Sequence, residues 1–208
     1  MKKSVIFFTI ILVLSAHEVF ADYEKLTKKN YNNSKNEKAV VIYGVNWGRQ
    51  WGCAGFENAQ LQRLTFTRID LESGRLDQKN IVLKTFSKLL AEDRYKAYTM
   101  IIAPGEYALS GFDVKIAKSV KEVGHLKAGI NELFENGKPT GGTFKVNPGE
   151  IVYIGEFGLD CVYEPIPWRY YIEEKDFERY IKGFRKEYKF VGDKQVMYRL
   201  FQTNKFGQ

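Results

Sequence analysis

The sequence has few residues of the types that build metal and redox centres. It contains two cysteines and two histidines among 208 residues, and one histidine, His17, lies in the N-terminal apolar segment. No Cys-x-x-Cys or His-Glu-x-x-His spacing occurs, so a zinc site or a Ser-His-Asp triad would depend on His125 alone. We expect His125 to be an exposed loop residue, and we predict no metal and no cofactor.

Other absences exclude further classes of protein. No Gly-rich phosphate loop follows a strand and opens a helix, and no nucleophile elbow occurs. The formal net charge is +7, yet no block of five or six like charges occurs, which argues against a nucleic-acid partner. The excess of positive charge instead predicts attraction to anionic surfaces such as phospholipid head groups or acidic polymers.

The first 21 residues predict export. Lys2 and Lys3 precede an apolar run from Val5 to Leu14, and Ala21 ends a stretch typical of a signal-peptidase site. The run is shorter than the roughly 20 apolar residues that span a bilayer. We therefore predict cleavage near Ala21 and a periplasmic or secreted protein. No cysteine follows the cleavage site to carry a lipid anchor.

Two well-separated cysteines in an oxidising compartment favour a structural disulfide. Cys53 and Cys161 each follow a strongly apolar run by a few residues, namely 39–45 and 150–157. We predict that these runs are neighbouring strands with the disulfide tying their ends. The alternative, a reactive thiol, would need a nearby base, and His125 is the only histidine that remains after cleavage.

Short β-prone runs dominate the rest of the chain. The 13 Tyr and 15 Phe favour sheet. Runs at 61–71, 81–86 and 195–202 have strand character, whereas 46–56 is predicted to be a loop and 117–142 a glycine-broken excursion. Pro104-Gly105 and Pro148-Gly149 each join two apolar runs, and we predict that they are the turns of two hairpins.

One helix is predicted, at about 173–188. Its apolar residues fall on one face: Phe177, Tyr180, Ile181, Phe184 and Tyr188. The predicted fold class is mainly β, an antiparallel β-sandwich with this single C-terminal amphipathic α-helix packed on it. Residues 1–21 are the signal peptide, residues 22–38 a polar and flexible leader, and residues 39–208 a single β-rich domain.

Three segments resemble those of uncharacterised bacterial envelope proteins and lipoproteins of domain-of-unknown-function type. They are Val40–Gly44, Ile101–Phe112 with its Pro-Gly-Glu-Tyr, and Phe144–Gly155 with its Pro-Gly-Glu-Ile-Val-Tyr-Ile-Gly. The resemblance implies a small β-sandwich and supplies no activity or catalytic residue. The chain differs from the lipoproteins because it lacks the cysteine that carries the lipid.

Six aromatic and basic residues form the candidate binding site. They flank the two cysteines, and a disulfide would gather them at one end of the sheet: Trp47, Arg49, Trp51, Trp168, Arg169 and Tyr170. Exposed aromatic rings beside arginines can bind sugars, peptides or proteins. The alternative is that these rings only close the end of the core.

We predict a non-catalytic binding or interaction module of the bacterial envelope, with an unidentified protein or glycan partner. One alternative is a hydrolase of envelope polymers. It would need two carboxylates facing each other, and the candidates are Glu106, Glu150, Glu156 and Asp160. A second alternative is a basic peripheral protein held on an anionic membrane surface.

Overall fold

The computed structural model describes residues 23–85, 95–170 and 174–203. They are mainly β, with 54% strand and 15% helix, as the sequence predicts. The predicted signal peptide lies outside the described residues. The strands are β1 (Glu24–Lys25), β2 (Ala39–Asn46), β3 (Gln50–Cys53), β4 (Phe56–Ile69), β5 (Leu76–Lys84), β6 (Tyr95–Ile102), β7 (Gly105–Ala117), β8 (Val123–Ala128), β9 (Phe134–Glu135), β10 (Lys138–Pro139), β11 (Thr143–Val146), β12 (Ile151–Asp160), β13 (Ile166–Tyr170) and β14 (Val196–Tyr198). The helices are α1 (Lys28–Ser34), α2 (Ile130–Leu133) and α3 (Glu174–Glu187), followed by a 3-10 turn at Lys189–Val191.

The first sheet contains the two strands that the sequence predicts to be neighbours. Its order is β1-β6-β2-β12-β13, with β14 also beside β12. β2 and β12 run parallel, so that Ile151 lies beside Val40 and Phe157 beside Val45. Parallel strands that are buried on both faces are continuously apolar, and β2 is buried over almost its whole length. This is why the pair could be recognised from the sequence.

The second sheet is antiparallel, in the order β11-β7-β4-β3, with β5 also beside β4 and β8 beside β7. The run predicted at 61–71 is the second half of β4. Two register shifts, after Leu61 and after Thr65, interrupt its pairing with β7. Strict alternation is therefore lost, and Leu61, Leu64 and Phe66 are all buried.

The two sheets pack face to face around aromatic side chains. Phe66 of the second sheet lies with its ring centroid 6.4 Å from Tyr43 and 5.6 Å from Phe157, both in the first sheet. All three rings are buried and meet at steep angles, the edge-to-face arrangement that aromatic pairs prefer. The predicted sandwich core thus combines aliphatic residues with aromatic rings that come from both sheets.

Both Pro-Gly segments are corners between the sheets, so the two predicted hairpins are wrong. β6 pairs with β2 in the first sheet, while β7 pairs with β4 in the second. In the same way β11 lies in the second sheet and β12 in the first. A tight turn reverses the chain equally well within one sheet or from one sheet to the other. The local pattern therefore cannot distinguish a hairpin from a corner.

α3 covers the outer face of the first sheet where the sequence predicts it. Ile181 and Phe184 are buried in a second apolar cluster, which includes Ile42 and Tyr153 of the sheet. Arg185 and Lys186 occupy the last turn of α3. Cations at that end are favoured by the helix dipole.

The polar leader is part of the fold, contrary to its predicted flexibility. β1 pairs with β6, and α1 packs with Tyr31 against Phe190, ring centroids 5.8 Å apart. Thr27 caps α1 because its hydroxyl accepts the Asn30 amide. Only Leu26 and Tyr31 supply large buried apolar side chains here, which is too few to give a visible periodicity.

Two segments predicted to be irregular contain strands. Within 46–56, β3 and β4 form a hairpin whose two turn residues are Ala54 and Gly55. Their φ angles are 49° and 81°, as in the type of two-residue hairpin turn in which both turn residues are left-handed. The excursion 117–142 contains β8, paired with β7, and then α2, β9 and β10. His125 consequently lies on a strand. Of the run 195–202, only β14 is a strand, and it is parallel to β12.

Candidate binding surface at the disulfide end

The predicted disulfide between Cys53 and Cys161 forms. It joins the two sheets at one end of the sandwich, whereas the sequence predicts that it ties the ends of the two neighbouring strands β2 and β12. Cys53 ends β3 in the second sheet, Cys161 follows β12 in the first, and their Cα atoms are 4.5 Å apart. The Ala54 amide also donates to the Cys161 carbonyl over 3.0 Å. The β3–β4 turn and the β12–β13 turn are therefore held together.

The register of the second sheet brings a third turn to the same place. Ala117, the last residue of β7, lies beside Asn58 near the start of β4, and pairs on its other side with Val123 of β8. The β7–β8 turn, residues 118–122, is therefore next to the β3–β4 turn, and all of its residues are exposed. We call residues 49–56, 117–123 and 161–165 together the disulfide end.

Large apolar side chains are exposed mainly at the disulfide end. The described residues include nine exposed large apolar side chains, and five of them are here: Trp51 (65% exposed), Val120 (92%), Val123 (48%), Val162 (71%) and Tyr163 (88%). One exposed apolar residue is ordinary, whereas a group of them on one surface marks a contact site. We call these five residues the apolar tips.

Arg49 and Trp51, two of the predicted binding residues, lie on this surface. Trp51 is on β3 opposite Asn58, and the Arg49 guanidinium is 5.6 Å from the centre of the indole ring. Both side chains are exposed. This cation–π contact helps to orient an indole that is 65% exposed and therefore accessible to a ligand.

Trp47 is separate from this surface, although it is only four residues from Trp51. It is 5% exposed, and its Nε1–H donates to the Tyr98 hydroxyl over 2.9 Å. Burial raises the pKa of Tyr98, so this phenol stays protonated. Trp47 is therefore a packing residue that closes the end of the core, and not a binding residue.

The other three predicted residues are placed only by their backbone. Trp168, Arg169 and Tyr170 lie on β13 opposite Gly158, Phe157 and Glu156 of β12, on the strand that leaves the 161–165 turn. Their side chains lie outside the described residues. Val120, Val162 and Tyr163 were not identified as surface residues from the sequence. The only sequence feature that could have identified them is their position, because each lies in a short polar or Pro-containing stretch between two strands. An apolar residue in such a stretch has no packing role.

A tyrosine cluster fastens α3 to the first sheet. The Tyr95 hydroxyl donates to the Glu156 carboxylate over 2.8 Å, and the Tyr95 ring lies on Gly44, where a Cβ would overlap it. Burial raises the pKa of Tyr180 to about 12, and the charge of Glu156 adds to the effect. Burial also raises the pKa of Tyr95. Both phenols are therefore neutral near pH 7 and act as hydrogen-bonding anchors.

Three of the four carboxylates proposed for hydrolysis have local structural partners. Arg199 binds Glu150 over 2.7 and 3.1 Å, and this hydrogen bonding lowers the pKa of Glu150 to about 2. Asp160 accepts the Val162 amide over 2.9 Å, and Glu156 accepts Tyr95. Glu106 lies at the start of β7 beside Ile69. None of these contacts places two of the four carboxylates face to face.

A groove of about 470 Å³ at the opposite end does contain two carboxylates. It lies between the β4–β5 turn and the Pro104-Gly105 corner, and includes Asp70 and Asp77. Hydrogen bonds from Ser73 lower the pKa of Asp70. Burial opposes ionisation of Asp77, but Arg68 at 2.6 Å and hydrogen bonds from the backbone amides of Lys79 and Gln78 together outweigh it and lower the pKa of Asp77. A general acid needs a raised pKa, so this pair does not fit the two-carboxylate mechanism.

His125 is paired on the open face of the second sheet. Its Nδ1 lies 2.7 Å from Asp113 Oδ1, and Lys127 lies 3.5 Å from the other oxygen of the same carboxylate. The imidazole is thus held beside Asp113 and Lys127 outside the groove, two residues from Val123 on the exposed face of β8. Among the described residues, no three or more His, Cys, Asp or Glu side chains cluster as metal ligands would.

None of the helices in the described ranges is long and apolar enough to cross a membrane. Comparisons of the chain with protein-family models, curated proteins and solved structures gave no match. The resemblance to envelope proteins therefore stays a prediction, and function has to be argued from the surface itself.

Proposed function

We propose that this protein is an exported, non-catalytic binding module of the bacterial envelope, and that the disulfide end is its contact surface. The observation that carries the proposal is the concentration of exposed apolar side chains there, five of the nine among the described residues. Exposing them to water costs free energy, which a partner that covers them would recover.

The chemistry of the surface also supports binding. Trp, Tyr and Arg are the residues that most often dominate the energy of protein contacts, and Trp51, Tyr163 and Arg49 are all exposed here. Ring faces likewise stack on the apolar faces of sugars. A protein or glycan partner would therefore find both stacking and hydrogen-bonding groups.

The disulfide prepares this surface for binding. It connects the turn that follows Trp51 with the turn that carries Tyr163, each two residues from a bonded cysteine. Turns fixed in advance lose less conformational entropy when a partner binds. The surface is thus held in place before the partner arrives.

Site-specific photocross-linking in the exporting cell tests the proposal. A photoreactive amino acid replaces Trp51 or Tyr163 at the disulfide end, or Leu71 at the opposite end, which is also exposed (55%). We expect adducts, whether with protein, glycan or lipid, from positions 51 and 163 and far fewer from position 71. Equal yields from all three positions, or none from 51 and 163, would overturn the proposal.

A further inference from the structure

We infer that the partner of the disulfide end is an anionic lipid surface, on which the β7–β8 turn and its neighbouring turns dock. This inference rests on the proposed function, because it names the partner class of the same surface. Three observations lead to it: the separate positions of the apolar tips, the residue types at those tips, and the charge beside them.

The apolar tips are exposed side chains on separate turns and strand ends. Val120 lies on the β7–β8 turn, Val162 and Tyr163 lie on the β12–β13 turn, and Trp51 lies on β3. The two described grooves are elsewhere, one beside Pro104-Gly105 and one between α3 and β14. A protein partner would need a matching pocket for each tip, whereas the fluid boundary between head groups and acyl chains accepts several exposed side chains at once.

The residue types suit that boundary. Trp and Tyr concentrate at the level of lipid head groups, because their rings combine an apolar body with a polar atom. Trp51 and Tyr163 supply one of each at the disulfide end, and both are more than half exposed. The aliphatic tips Val120 and Val162 would enter slightly deeper, with no strand or helix needing to cross the bilayer.

Charge decides which side faces the lipid. Val120 lies between Lys118 and Lys121. Lys118 pairs with Glu122 over 3.4 Å, while Lys121 has no ion-pair partner among the described residues. The 161–165 turn on the other side carries the exposed Glu164 and no lysine or arginine, while the exposed Glu57 lies at the start of β4, between β3 and the β7–β8 turn. The β7–β8 turn is therefore the more basic side, and the chain's net charge of +7 adds a long-range attraction to anionic lipid.

The opposite end of the same sheet supplies a matched control. The β4–β5 turn also exposes an apolar residue, Leu71, at 55%, but its neighbours are the acidic Asp70 and Glu72 rather than lysines. If exposure alone attached the protein to lipid, both turns would bind. If the inference is right, only the lysine-flanked turn binds.

Vesicle sedimentation tests the inference. The protein, purified after export with its disulfide intact, is mixed with phosphatidylcholine vesicles that contain or lack phosphatidylglycerol, at low and at physiological salt. We expect the protein to bind only to the anionic vesicles, and we expect salt to weaken that binding.

Substitutions test which residues make the contact. Each lysine near the surface increases the affinity about fivefold, so K118Q/K121Q should bind about 25-fold more weakly. Val120→Ser and Trp51→Ala should also weaken binding, whereas Leu71→Ser and Lys79→Gln should not.

Three results would overturn the inference. They are no binding of the wild type to anionic vesicles, a loss of vesicle binding in Leu71→Ser as large as that in Val120→Ser, or binding to dextran sulfate without binding to vesicles. The substituted residues are exposed, and an unchanged thermal midpoint would confirm that each variant is folded. If vesicles fail while positions 51 and 163 still cross-link a protein or glycan, the lipid assignment fails and the proposed function stands.

Discussion

At the scale of single residues, Gly44 is required by one aromatic neighbour. It lies in β2 beside Glu156, and the Tyr95 ring occupies the space that any side chain at position 44 would need. The φ of Gly44 is not in the left-handed region, so the requirement comes from packing and not from the backbone. This contact adds side-chain packing to the backbone pairing between β2 and the start of β6.

We predict that Gly44→Ala lowers the free energy of unfolding by about 1 kcal/mol, because the added methyl group displaces the Tyr95 ring and breaks its hydrogen bond to Glu156. Urea denaturation measures this. In a Tyr95→Ala background the same change should cost much less. Gly124→Ala is the control: it is also in a strand, and its Cβ would make only ordinary contacts with Ile116. An equal loss in both glycine variants would contradict the packing explanation.

Glu150 provides the clearest dependence on pH. Its pKa in the folded protein is about 2, lowered first by its hydrogen bonds with Arg199, from an ordinary value of 4.5. A lowered folded-state pKa contributes stability that is complete above pH 4.5 and is lost as pH falls towards 2. The ion pair is partly buried, with the Glu150 side chain 22% exposed.

We therefore expect Glu150→Gln to be less stable than the wild type by about 2 kcal/mol at neutral pH, with the difference shrinking between pH 4.5 and 2. Urea denaturation over this pH range would show it. Glu122→Gln, which removes a carboxylate from an exposed surface pair, should change little at any pH. A gap between Glu150→Gln and wild type that stays constant down to pH 2 would contradict the account.

At the scale of elements, strands and helices were predictable where the sequence pattern is compatible with only one type of structure. Continuous apolar residues identified β2 and β12, and helical periodicity identified α3. The Pro-Gly segments were predicted wrongly because a hairpin and an inter-sheet corner share the same local pattern. The strands within 46–56 and 117–142 were missed because glycines that argue against helix are compatible with hairpins and edge strands.

α3 itself contains a glycine without a packing role. Gly183 lies in the middle of the helix, and nothing is within 4 Å of the position of an added Cβ. We predict that Gly183→Ala stabilises the protein by about 1 kcal/mol, because alanine loses less backbone entropy in a helix. An increase in the urea midpoint would confirm this. A decrease would contradict the claim that Gly183 has no packing role.

At the scale of the whole molecule, the disulfide connects the two sheets across a sequence separation of 108 residues. Closing a loop of this length stabilises the fold by about 4 to 5 kcal/mol in the chain-entropy model. We expect C53S/C161S to lose stability of this order and to become insensitive to reductant, as judged by denaturation with and without dithiothreitol. A wild-type protein whose stability does not change on reduction would contradict the prediction.

The candidate surface was predictable only in part, because it depends on how strands that are distant in the sequence are aligned in the whole molecule. The sequence shows that the cysteines can pair, and therefore that Trp51 lies near the end of β12. It does not show that the β7–β8 turn reaches the same end, since that depends on the register of Ala117 beside Asn58. Nor does it show that Trp47 turns inwards while Trp51 turns outwards, which follows from the hairpin of β3 and β4.

The most direct test of the central claim is carbene footprinting of the exported protein, free and bound to isolated native envelopes, read by mass spectrometry. The account predicts that labelling falls at Trp51, Val120 and Tyr163 when envelopes are added, and stays constant at Leu71 and Tyr198, which are exposed elsewhere on the molecule. Unchanged labelling of the three apolar tips, or protection centred on Leu71, would contradict the claim that the disulfide end is the contact surface.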